Sequence, residues 1–132
     1  MMTLITGVPG AGKTLRAVQL IRAAVNEGRP VYSDIDGLAL DGVEPAPDDW
    51  RDTPEGSLVV YDECQHRWPS TGKPGAHPSE VVAAIDTHQH TGHDLMFVTQ
   101  APRKVHHSIR QLVGQHFHHN RVGGFQGAQV FE

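Results

Sequence analysis

The stretch Gly7-Val8-Pro9-Gly10-Ala11-Gly12-Lys13-Thr14 decides the fold. It has the form G-x-x-x-x-G-K-[ST] and follows a short apolar run ending in Ile5-Thr6. Glycines tolerate the positive φ angles that turn successive backbone N–H groups toward one point. Lys13 adds a point charge for β- and γ-phosphates, and the Thr14 hydroxyl is placed to ligate Mg2+. Context supports a phosphate loop over a chance glycine cluster. Thr3-Leu4-Ile5 reads as a buried strand, while Leu15, Val18, Ile21 and Val25 recur at helical spacing, so strand, loop and helix follow in the required order. Gly7 to Thr14 are therefore expected to hold a nucleoside triphosphate.

Downstream, Asn26-Glu27-Gly28 is a helix stop, and Pro30-Val31-Tyr32-Ser33 restarts as a strand. Residues 36–56 are rich in Pro, Asp and Gly and read as loop, with at most a helical turn near Asp48-Asp49-Trp50. Ser57 to Tyr61 is a continuous apolar run, the mark of a strand covered on both faces. Another irregular stretch, Trp68 to Pro78, precedes a helix expected over Ser79–His90 with Val81, Val82 and Ile85 inward. Leu95–Val98 is a fourth strand, Val105 to Val113 a short helix, Gln115–Val122 a fifth strand and Ala128–Phe131 a last one after the Gly123-Gly124 turn. Strands alternating with crossover helices predict an α/β fold of the P-loop NTPase kind. We expect a mostly parallel sheet of about five strands with helices on both faces and a short C-terminal hairpin strand, all in one domain spanning 1–132. Ligands bind such sheets at the carboxyl ends of the strands.

Three strand ends then carry the chemistry. Asp62 closes an apolar run, where a carboxylate is needed for the Mg2+ shell opposite Thr14. Glu63 follows at once and points elsewhere, which makes it the candidate general base for a water attacking the γ-phosphate, while Lys13 acts as the catalytic cation on the β- and γ-phosphates. Thr99 and Gln100 end the Leu95–Val98 strand, where Gln100 could orient that water or simply belong to a polar strand end. Arg103, Arg110 and Arg121 are candidates to stabilise phosphate charge, in cis or offered to a neighbouring subunit of a homo-oligomer, and none is singled out. The ten histidines include His88-x-His90, His106-His107 and His116-x-His118-His119, but with one cysteine they do not assemble a usual structural zinc set. Cys64 reads as a small buried residue, and Trp68-Pro69 as a packing anchor.

Composition bounds the rest. The 132 residues carry a net charge of −4, which argues against a protein that coats nucleic acid. Ten of fifteen acidic residues lie between Asp34 and Glu63, and none lies from Leu95 to Phe131, so the second half could face DNA or an acidic partner, or be a solvated surface. No apolar run approaches the roughly 18 residues of a membrane span, and a lone Cys64 fits a reducing compartment, so the cytoplasm is the expected location.

The loop at the very start, Asp62-Glu63-Cys64-Gln65 followed by Trp68-Pro69, His88-Gln89-His90-x-Gly92-x-Asp94, Thr99-Gln100 and Ile109-Arg110 together resemble the N-terminal domain of the zonular occludens toxin family. That family includes the gene I morphogenesis proteins of filamentous phages. The resemblance covers about Thr3 to Arg121. It implies an ATP-binding, Mg2+-dependent ATPase domain on the cytoplasmic side of the bacterial inner membrane. It further implies a membrane helix and periplasmic tail in the full-length protein, and partners in phage assembly and secretion. It also implies a P-loop fold in which another strand, here Leu95 to Val98, separates the phosphate-loop strand from the acid-bearing one. A small P-loop kinase and a nucleotide-binding interaction module without turnover are the rival readings.

Overall fold

The computed structural model describes residues 2–7, 13–69, 84–100, 103, 105–112, 115–122 and 125–131. Among the described residues, seven strands form one sheet in the order β3-β2-β4-β5-β1-β6-β7. They are β1 (Met2–Gly7), β2 (Val31–Ser33), β3 (Val43–Pro45), β4 (Leu58–Tyr61), β5 (Asp94–Thr99), β6 (Gln115–Val122) and β7 (Phe125–Phe131). Every neighbouring pair is parallel except the closing β6–β7 hairpin. Strand β5 stands between β4 and β1, in the place the resemblance implies.

Period-two alternation explains the two layers of core. On β4, Leu58 and Val60 face one side while Val59 and Tyr61 face the other, and on β5 Met96 and Val98 oppose Leu95 and Phe97. The first side is covered by α1 (Lys13–Asn26) through Ala17, Ile21 and Ala24. The second is covered by Trp50, Cys64, Trp68, Ile85 and Val105, and by Ile109 of α2 (His107–Leu112). Burying each large apolar side chain contributes about 1.5–3 kcal/mol, so two-sided burial of β4 and β5 makes this pair the centre of the core.

Four expectations need correction. Among the described residues the sheet has seven strands, because the acidic stretch expected as loop contributes β3, whose three residues pair with β2 at the sheet edge. Strand β7 begins at Phe125, earlier than expected, since it pairs with β6 along its whole length. Leu15 is 59% exposed; the buried stripe of α1 runs through Ala17, Ile21 and Ala24, and small alanines let the helix lie close to the sheet. Over its described part, Ala84–Thr91, the expected α-helix is a 3-10 helix. Threonines and histidines lose side-chain freedom in α-helices, and Gly92 at φ +68° ends the segment. Val81 and Val82 lie outside the described residues.

The stop after α1 is a Schellman cap: Gly28 N–H donates to Val25 O at 2.9 Å and Arg29 N–H to Ala24 O at 3.1 Å, with Gly28 at φ +78°. Arg29 then reaches across the amino ends of the strands, donating to Asp94 Oδ2 at 2.7 Å and twice to Gly56 O. We expect Gly28→Ala to cost about 1 kcal/mol, because only its left-handed backbone is offended, and Phe97→Ala to cost about 3–5 kcal/mol. Urea unfolding monitored by circular dichroism measures both, and equal costs would contradict this account of the core.

Candidate functional site

Gly7 ends β1 at φ 152°, and Lys13 opens α1 with only 7% of its surface exposed. A lysine so buried must keep its ammonium near acceptors. Thr14, next in the helix, is exposed. Val8, Pro9, Gly10, Ala11 and Gly12 lie outside the described residues.

The acid pair follows β4, two strands away and at the same rim, because Tyr61 pairs with Phe97 of β5 and Thr99 of β5 pairs with Thr6 of β1. Glu63 has φ 48° and ψ 44°, the left-handed region, which costs a residue bearing a β-carbon about 1–2 kcal/mol. Side-chain hydrogen bonds hold the turn in that shape. Asp62 N–H donates to Asp34 Oδ1 at 2.5 Å, and Glu63 N–H donates to Asp62 Oδ1 at 2.9 Å. The turn swings the Glu63 carboxylate back over the sheet, where Oε1 lies 3.6 Å from Lys13 Nζ. Its other oxygen, Oε2, accepts from Gln65 Nε2 at 2.6 Å, and Gln65 Oε1 accepts from the buried Thr99 hydroxyl at 2.8 Å.

Charge is concentrated here. Burial raises Asp62 above the ordinary carboxylate range, and the nearby Glu63 and Asp34 charges push the same way against the Glu63 N–H bond and Lys13. Asp34 is also raised, chiefly by burial, although the Asp62 N–H and Arg67 draw it back. Arg67 braces this cluster from outside. Its Nε donates to Asp34 Oδ2 at 3.1 Å and its Nη1 to Asp48 Oδ1 at 2.8 Å, while the guanidinium lies 5.1 Å from the Tyr61 ring centre. Trp68 packs edge-on against Tyr61 and Phe97, at 4.9 and 5.7 Å between ring centres. Pro69 makes an antiparallel bridge to Val105. Cys64 between them is fully buried, and that burial raises its thiol far above the usual range, so it packs and does not react.

Gln100 is half-buried just beyond Thr99. Arg103 and Arg110 are exposed, and the Arg121 side chain lies outside the described residues. His116 on β6 bonds Thr6 Oγ1 through Nε2 at 2.6 Å, which ties a histidine to the strand that leads into the glycine loop. The His88-x-His90-x-Gly92-x-Asp94 segment runs into the start of β5, at the opposite rim. There Asp94 meets Arg29 and His93 bonds Thr53 Oγ1 at 2.8 Å. Sequence reasoning missed Asp34 and Arg67, and quoted Gln65 without assigning it a task. An acid just past β2 was the available signal for Asp34, since a parallel neighbour's end shares the rim. Nothing in spacing alone pairs Arg67 with a residue 33 positions earlier.

A parallel sheet in which β5 separates a glycine-loop strand from an acid-bearing strand, with the lysine and the acid meeting at the carboxyl rim, defines a P-loop NTPase fold. The family model for zonular occludens toxin (Zot) matches residues 1–51 and 43–129, and the chain belongs to that family. A protein of Pseudomonas phage Pf3, provisionally named assembly protein ORF301, is 56% identical over all of this chain and 46% of its own length, so the chain spans about half of that relative. The N-terminal domain of zonular occludens toxin from Neisseria meningitidis superposes with a TM-score of 0.80 at 29% identity, covering 98% of this chain and 82% of that one. The genome packaging NTPase B204 of Sulfolobus turreted icosahedral virus 2, in complex with ATP-gammaS, shares the fold at a TM-score of 0.70 and 10% identity, over 92% and 75% of the two chains.

Asp34→Ala should destabilise the protein by about 1–3 kcal/mol, because it strips the Asp62 N–H of its acceptor and Arg67 of its inner partner. Asp48→Ala, at a side chain 98% exposed, should leave the urea midpoint close to wild type. A larger loss at Asp48 than at Asp34 would reverse this reading.

Proposed function

We propose that this chain is the ATP-hydrolysing domain of a filamentous-phage assembly and export protein. The observation that carries the reading is the 3.6 Å approach of Glu63 to Lys13 across the β4-β5-β1 order. On this reading the glycine loop, Gly7 to Gly12, wraps the phosphates with its N–H groups, and Lys13 supplies the cation for the β- and γ-phosphates. Glu63 takes a proton from water as its oxygen bonds to the γ-phosphorus, the bond to the β–γ bridging oxygen breaks, and ADP leaves with that electron pair. Gln100, at the same rim, is proposed to orient the attacking water.

The donors fit Mg2+. Thr14 offers an exposed hydroxyl and Asp62 a carboxylate, both hard oxygen ligands. Among the described residues no three His, Cys, Asp or Glu side chains form a complete metal cage, so the ion would share its shell with phosphate oxygens and water. Bound Mg2+ would neutralise developing phosphate charge.

Belonging to the zonular occludens toxin family, together with likeness to a phage protein named for assembly, supports a role in moving or assembling phage components. The proposed setting is the cytoplasmic face of the bacterial inner membrane, with the full-length protein anchored there. A homo-oligomer would let an arginine of one subunit reach its neighbour's phosphate, and the basic second half would face DNA or coat protein. No helix among the described residues is long and apolar enough to cross a membrane.

Turnover assays test the reading. Lys13→Ala should abolish ATP binding, whereas Glu63→Gln should retain binding and lose turnover by two or more orders of magnitude. Unchanged turnover in both would overturn it. Because Asp62 is raised, its protonation should weaken Mg2+-dependent nucleotide binding at a pH above that at which an ordinary aspartate titrates. Asp34→Asn removes one of the charges opposing Asp62 ionisation, so the loss should move to lower pH; titrating affinity against pH measures that shift, and a shift the other way would contradict it.

A further inference from the structure

Glu63 needs aiming. Its side chain has three rotatable bonds, is 39% exposed and hangs from a left-handed residue, so nothing in its own backbone selects one carboxylate direction. Lys13 alone would not select one either, since an ammonium at 3.6 Å attracts charge with little directionality. The directional contact comes from Gln65, whose amide nitrogen donates to Oε2 at 2.6 Å. An ionised carboxylate only accepts, so the amide must present its nitrogen here and its oxygen on the far side. On that far side stands Thr99, fully buried, donating its hydroxyl to Gln65 Oε1 at 2.8 Å. Thr99 is in turn the strand partner of Thr6, one residue before the glycine loop begins.

The backbone of β1 and β5, the Thr99 hydroxyl, the Gln65 amide and the Glu63 carboxylate thus form one continuous series. We propose that Gln65 is the positioning residue for Glu63, itself oriented by Thr99, so that hydrolysis depends on this series while nucleotide affinity does not. Thr99 then serves the site from beneath, without touching substrate. This inference rests on the ATPase reading above and deepens it. A half-exposed glutamate freed from Gln65 keeps its approach to Lys13, but loses the Gln65 contact to its second oxygen. Misplacement of a reacting group by about 1 Å can cost on the order of a hundredfold in rate.

The test is single-turnover ATP hydrolysis beside equilibrium ATP binding, for wild type, Gln65→Ala, Gln65→Met, Thr99→Val, Thr99→Ser and the double variant Gln65→Ala with Thr99→Val. Gln65→Ala and Gln65→Met should slow hydrolysis by about ten- to a hundredfold with affinity within about twofold of wild type. The methionine variant keeps the side chain's bulk, so a slow rate there is not a packing loss. Thr99→Val should slow hydrolysis as well, and Thr99→Ser, which keeps the hydroxyl, should restore it. In the double variant the Thr99 change should add almost nothing, because two members of one series are not independent. Wild-type rates in both Gln65 variants, or rate losses that multiply in the double variant, would overturn the proposal while leaving the ATPase reading intact. Absence of turnover in wild type, judged against Lys13→Ala, would overturn both.

Discussion

The placement of β5 between β4 and β1 is the constraint on which the rest depends. Parallel pairing on both edges of β5 brings Tyr61 and Thr6 to one rim, so the acid turn and the end of β1 lie at the same rim, one strand apart. A single intervening strand sets their separation at about twice the 4.8 Å strand spacing, a gap that the side chains of Lys13 and Glu63 span from opposite sides. Were β4 and β1 direct neighbours, the residue at the end of β5 could not stand beneath the acid. Two-sided burial of β5, with Leu95, Phe97, Met96 and Val98 all inside, makes that placement rigid.

The site accumulates negative charge at a cost the fold has to offset. Asp34, Asp62 and Glu63 converge while burial disfavours ionisation of the first two. Two cations answer them from different directions: Arg67 from outside through Asp34, and Lys13 from the α1 side through Glu63. Arg67 is itself half-exposed and keeps contact with the solvated Asp48, so this brace adds geometry more than stability. Its effect reaches Glu63 through the backbone, because Asp34 holds Asp62 N–H and Asp62 holds Glu63 N–H. The left-handed Glu63 is the strained residue that this succession of hydrogen bonds retains, and strain of that kind gathers at working sites.

The two rims of the sheet have separate tasks. At the carboxyl rim, Lys13, Glu63, Gln65 and Thr99 face one another. At the amino rim, Arg29, Gly56, Asp94, His93 and Thr53 lock the strand starts together. The H-x-H-x-G-x-D segment leads into this second rim, where Asp94 opens β5, whereas the D-E-C-Q segment lies at the carboxyl rim.

Local patterns sufficed for the elements built from neighbours in the chain: the strand and helix on either side of residues 8–12, the cap at Gly28, the apolar run ending in Asp62-Glu63, and the parallel architecture that alternating strands and helices require. These are legible because backbone torsions and hydrophobic periodicity act over a few residues. Short β3 escaped notice because three residues at a sheet edge carry no periodicity, and Leu15 was misplaced because helical spacing does not say which of two adjacent faces the alanines bring against the sheet. What only the tertiary structure decided was partnership at a distance. Asp34 with Asp62 and Arg67, Thr99 with Gln65, and Lys13 with Glu63 are each separated by 28 to 50 positions. Such pairs exist only once strand order has brought their elements to the same rim, and hydrogen bonds of about 3 Å are too short-ranged to leave any trace in the spacing of residues along the chain.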